Sequence, residues 1–99
     1  NFREFAEQSW KLPDNCYDNH YPCIIHGVGL CDEWPFVAYP NKDFSNSDYS
    51  ACFEENMTIC VESYIGEVGG KEGIKLEDQF LVTKDGLKQL SSFPYEYSN

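Results

Sequence analysis

Met57-Thr58-Ile59-Cys60-Val61-Glu62-Ser63-Tyr64-Ile65 and Ile74-Lys75-Leu76-Glu77-Asp78-Gln79-Phe80-Leu81-Val82-Thr83 are two β-rich runs separated by eight residues, four of them glycine. Apolar and β-branched residues bounded by glycines read as two strands of one antiparallel hairpin. Folding the hairpin symmetrically about Gly69 and Gly70 pairs residues whose numbers sum to a constant. Ile65 then meets Ile74, Ile59 meets Phe80, and Met57 meets Val82. Side chains alternate along a strand, so these pairs share one face, which we expect to be a core layer interrupted by Ser63 and Asp78. On the other face Glu62 falls opposite Glu77. Directly paired residues have Cβ atoms roughly 5 Å apart, and like charges at that spacing repel. Two such carboxylates must share a proton, separate into water, or share a cation. A solvated face is the bland alternative, but both glutamates sit inside mainly apolar strands.

Working outward, residues 84–86 read as a tight turn into a last short segment, 87–90, and residues 91–99 as a polar and aromatic tail. Upstream, residues 41–56 have no period and many turn formers, and we expect a surface loop. Residues 34–39 read as extended, and residues 21–30 as a buried strand broken at Gly27 or Gly29. Residues 2–11 carry Phe2, Phe5, Ala6 and Trp10 at roughly helical spacing, which predicts a short amphipathic helix ended by Pro13, Asp14 and Asn15. The expected fold class is α+β, an antiparallel hairpin plus a short helix.

The stretch His26-Gly27-Val28-Gly29-Leu30-Cys31-Asp32-Glu33-Trp34-Pro35 concentrates an imidazole, two glycines, an acidic pair and an indole. Glycines beside a histidine allow close approach of other groups to the backbone. With Glu62 and Glu77, His26 offers the nitrogen and carboxylate donors of a divalent-metal site, which leaves Asp32 free for chemistry. A core histidine is the bland alternative. Cys16, His20, Cys23 and His26 form a rival set, but four ligands so close in sequence crowd one another and match no common zinc spacing.

Seven basic against seventeen acidic residues give a formal charge of −10, which argues against nucleic acid and fits, weakly, a cationic substrate. No apolar run approaches a membrane span. The five cysteines are odd in number and lack a CxxC pair, so reduced thiols in a cytoplasmic protein are the simplest expectation. The sequon at Asn56-Met57-Thr58 matters only in a secreted protein. The chain of 99 residues starts at Asn1 with what reads as the end of a helix, and we expect one segment, 1–99, of a larger catalytic domain.

Three blocks, His26-Gly-Val-Gly-Leu, Met57-Thr-Ile-Cys-Val-Glu62, and Ile74-Lys-Leu-Glu77-Asp78 with Val82-Thr-Lys-Asp-Gly86, together resemble the C-terminal part of the catalytic domain of the creatinase/aminopeptidase-like, or pita-bread, metallohydrolases. That resemblance implies a centre of two metal ions held by two aspartates, a histidine and two glutamates. His26, Glu62 and Glu77 match the last three, and the aspartates would lie upstream. Xaa-Pro peptidases of this superfamily carry a second histidine seven residues after the first, where this chain has Glu33. The stretch from Tyr21 to Pro40 is similar instead to the branch that contains the dimethylsulfoniopropionate lyases. The branch implies Asp32 as the base, Tyr21 at the substrate pocket and iron as the metal, with manganese, zinc or cobalt as other candidates. It also implies a small cationic sulfonium carboxylate as substrate and a homodimer when full length. We expect Tyr21 and Trp34 to face the sulfonium through cation–π contact. The alternatives are an Xaa-Pro aminopeptidase-like hydrolase on the same fold and an inactive fragment.

Overall fold

The hairpin pairs in the symmetric register: Glu62 faces Glu77, Ile59 faces Phe80 and Ile65 faces Ile74. These strands, β3 (Thr58–Ile65) and β4 (Ile74–Thr83), form the middle of a five-stranded antiparallel sheet in the computed structural model, which describes residues 1–40 and 50–95. On one side β4 continues through the two-residue turn Lys84-Asp85 into β5 (Gly86–Gln89). On the other, β3 pairs with β1 (Ile25–Val28), and β1 with β2 (Asp32–Val37), giving the order β2-β1-β3-β4-β5. At the entry to β3 the ladder slips. The Val82 amide donates to Met57 O, whereas Val82 O accepts from Asn56, whose φ is 73°. Asn56 and Met57 thus stand together opposite Val82, as in a bulge.

The only described α-helix, α1, spans Phe2–Gln8. Asn1 caps it by accepting from the Glu4 amide at 2.8 Å, and Glu4 reaches back to the Asn1 amine at 3.1 Å, a reciprocal capping box. The helix stops short of the expected residue 11. Ser9 leaves helical geometry, and Lys11 Nζ donates to the freed carbonyls of Ala6 and Glu7, both at 2.9 Å. After Pro13 the chain forms a 3-10 helix, Asp14–Asn19. It is tied to the hairpin tip by Asn19, which donates to Gly66 O and Glu67 O, and by Asn15, which donates to the Glu67 carboxylate. The strand expected over 21–30 is confined to Ile25–Val28. Of the loop expected over 41–56, residues 41–49 lie outside the described residues, as do 96–99 of the tail.

Phe2 and Ala6 of α1 pack on one sheet face against Ile25, Val37, Ile59 and Val82, with Phe53 edge-on to Phe2 at 4.7 Å. The expected core layer is realised in part. Ile59 is 1% exposed and Ile65 of β3 is half-buried against the core, but on the neighbouring β4 Ile74 is 56% and Leu76 41% exposed. The opposite face carries the polar row Cys60, Glu62, Lys75 and Glu77.

Gly27 lets β2 cross close to β1. The ladder is irregular between His26 and Gly27, and a Cβ on Gly27 would lie 2.2 Å from Trp34 O. Backbone, not a movable side chain, stands in the way, so a shift of the strand is unavoidable. Gly27→Ala is expected to destabilise the full chain by about 1–3 kcal/mol, read as a drop in denaturation midpoint.

Candidate metal centre

β1 and β3 pair His26 directly with Cys60, and β3 and β4 pair Glu62 with Glu77. Alternation puts His26, Cys60, Glu62 and Glu77 on the face away from α1. His26 is 5% and Glu62 2% exposed, so the site is sunk into the sheet although Glu77 remains partly open. His26 Nε2 lies 3.6 Å from Glu62 Oε1 and 3.4 Å from Glu77 Oε1. The other ring nitrogen, Nδ1, is 2.9 Å from Gly27 O. A carbonyl only accepts, so Nδ1 carries the proton, and in the neutral ring the Nε2 lone pair points at the two carboxylates. Three electron-rich atoms thus converge. Neither Glu62 oxygen accepts a directed hydrogen bond, and Lys75 Nζ pairs with Oε2 at 3.0 Å.

That is the donor chemistry of a divalent cation: two carboxylates and an imidazole whose far nitrogen is fixed by a carbonyl. Among the described residues, His26, Cys60 and Glu77 place a possible ligand atom each within 4.8 Å of one another, and Glu62 adjoins them through His26. The residues present therefore fit a metal. The rival set is not assembled as a centre: His20 Nδ1 donates to the Tyr17 carbonyl and its ring stacks on Tyr17 at 4.5 Å.

The two glutamates titrate in opposite directions. Burial, with Glu77 beside it, pushes Glu62 up, against the pull of Lys75. Burial acts the same way on Glu77, but hydrogen bonds from Glu62 and the Cys60 thiol, with the charges of Lys75 and His26, outweigh it and lower its pKa. Glu62 is thus the partner that holds a shared proton. Burial and the bond to Glu77 push the Cys60 thiol up to about 11. A cation at this site must displace the Glu62 proton. Metal affinity is expected to weaken as pH falls toward the ordinary glutamate value of 4.5. Its onset lies above that value because the Glu62 pKa is raised, a dependence that cobalt titrations at stepped pH would read directly.

Asp32 opens β2 at the rim of the site. It is exposed, and its Oδ1 is 3.7 Å from His26 Nδ1, on the ring edge away from the glutamates. It therefore stands beside the donor set without belonging to it. Tyr21 lies on the site face, its ring 4.2 Å beneath Lys75 Nζ, and the Glu62 charge raises its phenol pKa. Trp34 corrects the expectation that it faces a cation together with Tyr21. Its ring packs at 5.8 Å on Phe2, on the side that carries α1. The irregularity next to Gly27 turns it there, and the two rings do not enclose one cation.

Sequence reasoning passed over Cys60 and Lys75. Both were legible in the hairpin register, since Cys60 is two residues before Glu62 and Lys75 two before Glu77, on the same face.

Comparison with known proteins accords with this geometry. The family model described as metallopeptidase family M24 matches residues 2–84. The chain belongs to metallopeptidase family M24. Two relatives are named dimethylsulfoniopropionate lyase DddP. The chain is 46% identical to that of Roseovarius nubinhibens and 51% to that of Roseobacter denitrificans, each over 94% of this chain and 21% of the relative. It is 36% identical to an Xaa-Pro dipeptidase of Pyrococcus horikoshii, over 76% of this chain and 18% of that protein. The chain thus spans about a fifth of the length of the curated relatives it matches, 21% for both lyases. Membership in this family brings a divalent-metal context to the chain, and no described helix is long and apolar enough to cross a membrane.

Proposed function

We propose that the chain supplies part of the active site of a metal-dependent lyase that cleaves dimethylsulfoniopropionate to dimethyl sulfide and acrylate. The observation that carries the reading is the carboxylate of Asp32 poised at the edge of the His26–Glu62–Glu77 donor set, with Glu33 where the peptidases of this fold carry a histidine. The higher identity to the two lyases than to the dipeptidase supports it.

His26, Glu62 and Glu77 would hold the divalent ion, which when bound supplies Lewis acidity to the substrate carboxylate. The mixed nitrogen and oxygen donors suit iron, as they suit manganese, zinc and cobalt. Asp32 accepts the proton from the carbon next to the substrate carboxylate. The C–H electron pair becomes the new C=C bond, and the C–S bond breaks with its pair leaving on neutral dimethyl sulfide. Elimination needs no attacking water and no proton donor for an amine, so one carboxylate base suffices. Tyr21 offers an aromatic face that already meets an ammonium, the contact a sulfonium would also make.

The test is to assay the full chain in parallel on dimethylsulfoniopropionate, by headspace dimethyl sulfide, and on an Xaa-Pro dipeptide. The expected result is sulfide and acrylate in equal amounts with the dipeptide intact. Dipeptide cleavage without sulfide release would sink the lyase reading.

A further inference from the structure

Asn19 closes the 3-10 helix and stands two residues before Tyr21. Its side-chain amide donates to two successive carbonyls of the hairpin tip, Gly66 O and Glu67 O, both at 3.3 Å. Those carbonyls directly follow β3, and β4 returns from the same tip one residue before Lys75. The Tyr21 ring centroid lies 4.2 Å from Lys75 Nζ, and that ammonium pairs with Glu62 and Glu77 at 3.0 and 3.6 Å. Residues 19–21 thus touch the hairpin at two points, its tip and the start of β4, and close a small frame with it. Between these points the His20 ring stacks on Tyr17 at 4.5 Å and meets Tyr39 edge-on at 5.2 Å.

From this we propose that Asn19 is a positioning residue for substrate recognition: its amide ties the 3-10 helix to the hairpin tip, and the tie holds the Tyr21 ring on the site face to receive the substrate's cation. This rests on the reading of Tyr21 as the aromatic partner of the sulfonium.

The tie matters because the ring contact of Tyr21 is weak by itself. Lys75 is partly exposed, and a cation–π contact at such a site contributes too little to fix a phenol ring alone. The other side-chain tie of this junction, Asn15 to the Glu67 carboxylate at 3.1 Å, lies near the far end of the 3-10 helix. It holds the helix without setting the path of the chain beyond Asn19. The chemistry of the elimination says which kinetic constant the Asn19 tie governs. The sulfonium loses its charge as the C–S bond breaks, so a cation–π contact favours bound substrate over the transition state. Misplacing Tyr21 therefore raises KM and leaves kcat unchanged or higher, whereas general damage to the site lowers kcat.

The experiment follows sulfide release against dimethylsulfoniopropionate concentration for the full chain and for Asn19→Asp, Asn19→Ala, Tyr21→Leu and the double variant of Asn19→Asp with Tyr21→Leu. Asn19→Asp keeps the shape but sets acceptor oxygens against two carbonyls. Both Asn19 variants are expected to raise KM about 2- to 10-fold, the effect of losing exposed hydrogen bonds and the ring contact they support, with kcat no lower than in the parent. In the Tyr21→Leu background the Asn19→Asp change is expected to move KM by less than about 2-fold, because the two residues act as one unit. An unchanged KM, a lowered kcat, or the same rise in KM with and without Tyr21 would each overturn the proposal. Asn19→Ala decides should the aspartate variant fail to fold. An unchanged KM in Tyr21→Leu would instead overturn the reading of Tyr21 on which the proposal rests, and no sulfide release by the parent would overturn the lyase reading.

Discussion

Replacing Asp32 by asparagine in the full chain is expected to lower turnover of dimethylsulfoniopropionate by about 100- to 10,000-fold, the span that a positioned general base contributes. The substitution keeps shape and removes the lone-pair basicity that takes the proton. Asp32 is well exposed and lies 3.7 Å from His26 Nδ1, a nitrogen whose proton already goes to Gly27 O. It is therefore outside the face formed by Nε2 and the two glutamate oxygens. Metal affinity should stay close to that of the parent chain while turnover falls, a separation that marks a base and not a ligand. Headspace sulfide assays and cobalt titrations of the same preparation check both halves. Normal turnover in Asp32→Asn would remove Asp32 from the chemistry, and a matched fall in metal affinity would make it a ligand.

Glu62→Gln is expected to have the other large effect, on the metal itself. Glu62 is 2% exposed, and its oxygens accept no directed hydrogen bond. Such a buried carboxylate is kept where a cation offsets its desolvation. Glutamine retains the volume but brings a neutral amide in place of a charged donor. Metal affinity should fall by more than the roughly 100-fold upper end for outer-shell losses, with sulfide release falling alongside. The metal-stripped protein should respond in the opposite sense. Burial raises the Glu62 pKa above its ordinary value of 4.5, so the parent chain is favoured below 4.5 and loses stability as pH rises through the raised value. Glu62→Gln removes that loss, and thermal midpoints of both stripped proteins across this range would show the parent's slope flattened in the variant. Unchanged cobalt affinity would show that Glu62 is no ligand.

How much of this was legible in the sequence depends on where local pattern and tertiary structure agree. The hairpin was legible from Thr58 to Ile65, because two alternating strands about a glycine turn favour the symmetric register, while the bulge at Asn56 and Met57 left no such pattern. Glu62 opposite Glu77 followed from it. His26 beside Cys60 did not, since the pairing of β1 with β3 spans more than thirty residues of chain and leaves no periodic trace. The asymmetry of the core was hidden for a related reason: Ile74 and Leu76 carry the same apolar signal as Ile59, and only the position of α1 decides which is covered. The expected pairing of Trp34 with Tyr21 rested on nearness to His26 in sequence, which does not decide the face a ring takes where the ladder is irregular, and the Trp34 ring packs on Phe2. Lys75 was overlooked because a lysine beside a glutamate in a strand reads as surface charge until its register places it over both carboxylates.

The proposed lyase activity requires a single centre that holds a divalent metal and eliminates a sulfide. The most direct measurement follows dimethyl sulfide release from the metal-stripped full chain as iron, manganese, cobalt or zinc is returned, with bound metal counted in the same samples. Negligible release is expected from the stripped protein, and release that rises in proportion to bound metal, with equal acrylate. Sulfide release at full rate from stripped protein, or none from protein fully loaded with each metal, would contradict that proposal.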